Sequence, residues 1–274
     1  MAKREIDQQV ALESELRSRL AVPAVAGGVL YLLGGIILSS GLSGLPAVGL
    51  VQGFAPMLRG EANPAASPRA AEVTYIDHHA FGLIAGSVLT TIAIVFLTLV
   101  LLFLVGATSF RRPESWPATR PLVLAGGGAF ALLTLAHWVV IAIQAHSFAG
   151  GHDFSAKAVE KALLTAGSVG VTLGLAGLFA ALALAIGMIA AMVGAMRSGL
   201  LPRWLAVLGI FSGLLFLPLF GSTTLELVPS FWLVATGILL MGRWSSGDPQ
   251  AWASGEARPW PTAAETRAKR ASAS

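Results

Sequence analysis

Few side chains in this sequence could do chemistry, and they fall into three groups. Asp77, His78 and His79 stand just before a long apolar run, in Thr74-Tyr75-Ile76-Asp77-His78-His79-Ala80-Phe81-Gly82. Imidazole and carboxylate together suit a divalent cation, or a proton site that changes charge between about pH 6 and 7. His146, His152 and Glu226 complete this candidate outer-rim metal or proton site. The second group lies inside an apolar segment: Thr134, His137 and Gln144 share one face of a helix, since three residues turn it by about 300° and seven return it almost to the start. An ionisable group in such a segment faces protein or water, so this stripe is expected to point into a bundle. The third is Glu226, the acidic residue of the last apolar stretch. Pro218 and Pro229 on either side suggest that it sits on a short external turn.

Spacing limits what these groups can build. His146 is half a turn round from His137 and about 13 Å along the axis, so one metal cannot bind both. Adjacent residues on a helix point about 100° apart, which keeps His78 and His79 from sharing a metal. No HExxH zinc signature is present. A haem with two axial histidines needs a second histidine at the depth of His137, and no other apolar segment carries one near its middle. No cofactor is predicted, and metal or haem binding is kept as an alternative. With no cysteine, zinc thiolate sites, iron-sulfur clusters and disulfides are excluded. No GxSxG element and no phosphate-cradling glycine loop after a strand occurs, so an enzyme is not expected.

The elements that must position these residues are membrane helices. Only 12% of the 274 residues are charged, against roughly a quarter in a soluble domain, and the mean hydropathy is +0.75. Charge is missing from Leu20 to Leu58, His78 to Phe110, Pro121 to His152, Ala162 to Met196 and, apart from Glu226, Trp204 to Gly242. A bilayer crossing needs about 20 apolar residues. The sequence therefore predicts an all-α polytopic bundle of about six spans, near residues 21–45, 79–107, 121–147, 163–196, 203–222 and 227–243. The fourth run exceeds one crossing and is expected to begin as an exposed helix around Phe154 to Leu164. Acidic residues before the first apolar run argue against a cleaved signal peptide.

Alternating the segments across a bilayer puts fourteen Lys and Arg on one side and four on the other. By the positive-inside rule both termini are expected in the cytoplasm, and the protein in the plasma membrane. This explains the net charge of +4 without nucleic acid, for which no basic patch interleaved with aromatics exists. Residues 1–20 predict a cytoplasmic helix, with Glu13 and Arg17 paired at i, i+4. Residues 244–274 predict an irregular tail whose Trp244, Trp252 and Trp260 rest at the headgroups. Glycine repeats (Gly27, Gly34 and Gly41, with Gly28 and Gly35; Gly82 and Gly86; Gly167, Gly170, Gly174 and Gly177) predict close helix packing. They also offer faces for a second copy or another membrane partner.

The segment Met196 to Leu219, MRSGLLPRWLAVLGIFSGLLFLPL, resembles a hairpin of uncharacterised bacterial multi-pass membrane proteins, and the tail AWASGEARPWPT is similar to the endings of such proteins. The resemblance implies a multi-pass membrane fold and carries no activity or functional residue. Two principal readings follow: a non-enzymatic structural or accessory bundle, and a small-solute or proton-linked transporter using His137, Gln144 and Glu226. Metal or haem binding is the third. A cavity that reaches His137 favours the transporter, and dry packing around it favours the accessory bundle.

Overall fold

A computed structural model describes residues 3–46, 48–49, 67–151, 153–165, 168–217, 226–245 and 247–260. Among them every regular element is an α-helix: α1 (Lys3–Leu42), α2 (Ala70–Arg111), α3 (Thr119–Ala149), α4 (Ala156–Ala162), α5 (Ser168–Ser198), α6 (Arg203–Leu215), α7 (Leu227–Leu240) and α8 (Gln250–Ser254). Four of them, α1, α2, α3 and α5, are long and apolar enough to cross a membrane. The 13 residues of α6 and 14 of α7 rise roughly 20 Å each, less than the ~30 Å of a hydrocarbon core. Large apolar side chains such as Val29, Ile36, Val95, Leu132, Phe179 and Phe211 stand exposed around the bundle. In water so broad an apolar belt would aggregate, whereas in lipid it is solvated. The protein is a helical membrane bundle.

The helices close a ring. α1 packs on α2, α2 on α3, α3 on α5, α5 on α6, α6 on α7, and α7 returns to α1, while α2 and α5 also touch. Small residues set the close approaches, because association in lipid depends on backbone proximity. A Cβ on Gly34 would lie 2.9 Å from the Gly86 carbonyl oxygen, and one on Gly86 would lie 3.0 Å from that of Gly34. The α1 glycines that suggested a face for a second copy are therefore occupied within the chain: Gly27 meets Phe96 and Leu233, Gly28 meets Ser230 and Val234, and Gly41 meets Leu83. Gly82 has open space beside it, and Gly167 lies outside the described residues.

Several elements differ from expectation. The amino-terminal helix and the first apolar segment form one helix, which continues through Pro23. The long fourth run is broken: α4 ends at Ala162, Leu164 takes a left-handed φ of 55°, and α5 starts at Ser168. The tail is not merely draped on an interface. Residues 250–254 form α8, whose Ala251 and Trp252 are buried in the larger of two apolar cores, and Trp252 Nε1 donates to the Leu200 carbonyl at 3.1 Å.

Nor do Glu13 and Arg17 pair with each other. Glu13 accepts from Arg111 Nη1 at 2.9 Å and Nη2 at 2.7 Å, with both side chains buried, while Arg17 pairs with Asp248 at 3.2 Å. Arg111 completes its set of donors on the Ala107 and Ala251 carbonyls. The rings of Trp252 and Phe103 stack at 5.6 Å, and the Arg17 and Arg111 guanidinium carbons lie 4.8 and 5.4 Å from the Trp252 ring centroid. The start of α1, the end of α2 and the tail are thus bound together at the arginine-rich end of the bundle. At the opposite, histidine-rich end, Val73, Ile76, Leu83, Ile141, Ala145 and Phe148 anchor the second apolar core.

Candidate functional site

The two ends of the α3–α5 contact differ. Toward the arginine-rich end the backbones nearly touch, and a Cβ on Gly187 would lie 2.9 Å from the Val123 nitrogen. Toward the histidine-rich end they part: Gly174 and Gly177 have nothing within 4 Å of an added Cβ, and α3 has no buried residue between Ala131 and Ile141. The space left is a cavity of about 490 Å³. It falls within the range of roughly 300–1,000 Å³ of small-molecule sites.

Polar groups from three helices meet there: Tyr31 of α1, Thr134 and His137 of α3, and Glu226 at the start of α7. Phe130, Phe216 and Trp138 supply aromatic wall. The Phe216 ring meets Tyr31 and Phe130 edge-on, at 6.1 and 5.8 Å, and the His137 ring meets Trp138 edge-on at 5.5 Å. Thr134 donates its hydroxyl proton to the Phe130 carbonyl at 2.7 Å, so only its lone pairs remain for a guest.

Glu226 is the half-buried N-cap residue of α7, and residues 218–225 before it lie outside the described residues. Its carboxylate lies against Gly35, where even a methyl group would overlap a carboxylate oxygen. Seven residues of α1 continue past that level, about 10 Å of helix, so the carboxylate sits well inside the bundle. Among the described residues no cation and no hydrogen-bond donor pairs with it. His137 stands roughly 9 Å higher along the axis. That figure follows from Ala131, six residues before it, whose carbonyl accepts from Thr91 beside the Gly34 level.

The structure thus brings Thr134, His137 and Glu226 together and leaves Gln144 outside the cavity lining. Among the described residues of the histidine-rich rim it joins only Asp77 and His146, whose Oδ1 and Nδ1 are 3.1 Å apart. His79 stacks on Tyr75 with centroids 4.0 Å apart and places Nδ1 2.9 Å from the Tyr75 carbonyl, while His78 is exposed. His152 lies outside the described residues. Among the described residues no three His, Cys, Asp or Glu side chains are grouped to hold a metal ion. On the same rim, the Ser155 backbone N–H, which donates to Asp153 at 3.0 Å, holds the Asp153 carboxyl below the usual carboxylate range.

Sequence reasoning missed the aromatic half of the cavity. Tyr31 carried a usable signal, because a phenol in the middle of an apolar span brings a polar atom that needs a partner inside the bundle. Phe130, Phe216 and Trp138 carried none, since aromatic residues in such segments serve equally as lipid contacts or core. Comparison with protein families, with curated proteins and with solved structures gives no match.

Proposed function

We propose that this chain is a proton-linked carrier for a small organic cation, with Glu226 as the site at which cation and proton compete. The observation that carries this reading is a half-buried carboxylate with no partner among the described residues, set among Tyr31, Phe130, Phe216 and Trp138 in a cavity of about 490 Å³. Aromatic faces attract an ammonium through their quadrupole, and a carboxylate supplies the opposite charge, which together suit an amine or quaternary ammonium with an apolar body. A carboxylate in a low-dielectric site is poorly solvated when alone, so it takes either a proton or the cation. That exclusivity is the minimal requirement for exchange. His137, nearer the histidine-rich end, serves as the proton acceptor on the path to solvent.

The topology proposed with it has six crossings in the cell membrane, with both termini cytoplasmic. The chain from Arg203 to Met241 provides roughly 19 residues for each of the last two legs, close to the ~20 a crossing needs. The fourteen-to-four split of Lys and Arg supports the orientation. In this arrangement the cavity opens toward the external face.

The test uses the full chain in liposomes containing an entrapped pH-sensitive dye, with benzyltrimethylammonium as probe. A gradient of that cation should drive opposite proton movement through the parent protein and none through Glu226→Gln. Equal proton movement in the parent, in Glu226→Gln and in protein-free vesicles would overturn the proposal.

A further inference from the structure

At the arginine-rich end, remote from the cavity just described, two adjoining clefts of about 500 and 460 Å³ share Arg112 and Arg197 as walls. The first runs between the last turns of α2 and α5 under the α2–α3 turn, and its floor is apolar: Val105, Ala190, Ala191 and Val193. The second adds Arg203, the first residue of α6. Three guanidinium groups from three separate stretches of chain therefore border one continuous opening.

Their local pairing leaves an excess of positive charge. Arg112 is paired with Glu114 at 2.8 Å, the one carboxylate of the cleft among the described residues. Arg203 donates to the Trp260 carbonyl at 2.8 Å, a neutral acceptor, and has no ion pair among the described residues. Arg197 is exposed and has no ion pair among the described residues. Below them Thr108 is 4% exposed, lines the cleft, and has a hydroxyl oxygen without a hydrogen-bond partner among the described residues. Arg197 shares its cleft with the Thr108 hydroxyl and Arg203 lines the adjoining one; together these donors suit an oxyanion, and phosphate matches the forked geometry of arginine donors.

We infer that this cleft binds a phosphate-bearing anion, held by Arg197 and Arg203 with Arg112 at its edge. Phosphate of this kind has two sources, a lipid headgroup and a soluble phosphate. The setting favours the first. Trp116, at the cleft, and Trp204, stacked on Trp244 at 5.5 Å, are both about half exposed, as tryptophans at headgroup level are. The apolar floor between α2 and α5 offers a path for an acyl chain below the charged mouth.

The full chain in mixed detergent–lipid micelles, examined by native mass spectrometry, should retain phosphatidic acid over phosphatidylcholine. Each arginine near a membrane surface contributes about fivefold, so Arg197→Gln/Arg203→Gln should lower retention about 25-fold. Arg243→Gln, on the same end but not lining either cleft, should leave it unchanged. Because Arg197 and Arg203 are exposed, the double variant should keep the parent's melting temperature. Displacement of the lipid from the parent protein by inorganic phosphate would assign the site to a soluble anion, and failure of phosphate to displace it would assign it to the headgroup. Equal retention of the two lipids, or an equal loss in Arg243→Gln, would overturn the inference.

Discussion

Removing the Glu13 carboxylate should destabilise the protein far more than removing a surface acid. Arg111 is enclosed, and all five of its N–H donors are used: two on Glu13, one on Ala107 and two on Ala251. In Glu13→Ala the two charge-assisted bonds disappear while the guanidinium stays inside, held only by neutral carbonyls. Leaving a buried charge without its partner costs about 3–5 kcal/mol. Glu13→Leu combined with Arg111→Met removes both charges and should cost no more than about 1 kcal/mol, because replacing a buried pair by apolar side chains is often close to neutral. Glu13→Leu alone, Arg111→Met alone and the two combined therefore form a cycle whose coupling is at least ~3 kcal/mol. Unfolding in mixed micelles with increasing SDS, followed by far-UV circular dichroism, measures each difference. A cost below ~1 kcal/mol for Glu13→Ala, or a double variant costing the sum of the singles, would refute the argument that this pair is enclosed and mutually dependent.

Other outcomes follow from the same geometry. Trp252→Ala should cost about 3–5 kcal/mol in the same unfolding assay, as it empties a buried ring site and frees the Leu200 carbonyl. Gly35→Ala should abolish binding of benzyltrimethylammonium with little loss of helix content, since its methyl group displaces the Glu226 carboxylate; titration calorimetry and circular dichroism separate the two effects. Gly187→Leu should cost more than ~3 kcal/mol, because the side chain meets the Val123 backbone and α3 and α5 cannot close. Asp77→Asn should leave benzyltrimethylammonium binding unchanged, since Asp77 pairs with His146 at the rim and does not line the cavity.

Legibility from sequence varied with the range of the interaction involved. The helix starts at Arg203 and Leu227 coincide with the expected segment starts, because Pro202 can begin a helix and the composition changes sharply at both places. The break between α4 and α5 is not readable, since Ala162 to Gly177 carries no charge and no proline and the turn depends on a left-handed Leu164 packed beside Gly170. For the candidate site, the i, i+3 spacing of Thr134 and His137 placed them on one face, and both do line the cavity. Gln144 shares that face by angle but lies two turns further along, past the end of the open space. Glu226 was assigned to a turn by its flanking prolines. Its contact with Gly35, on a helix almost two hundred residues earlier, is not encoded in those prolines.

Local composition alone determined that the chain is helical, membrane-embedded and asymmetric in charge, because hydropathy, helix length and Lys/Arg distribution act residue by residue and need no knowledge of neighbours. Only the tertiary structure decided which arginines are solvated and which are enclosed. Arg111 and Arg112 look alike in sequence, yet one is buried on Glu13 and the other borders an open cleft. The same is true of the tryptophans: Trp252 fills a core, while Trp244 packs against its edge and stacks on the half-exposed Trp204. Such choices depend on which surfaces meet when the ring of helices closes, and no local pattern encodes that.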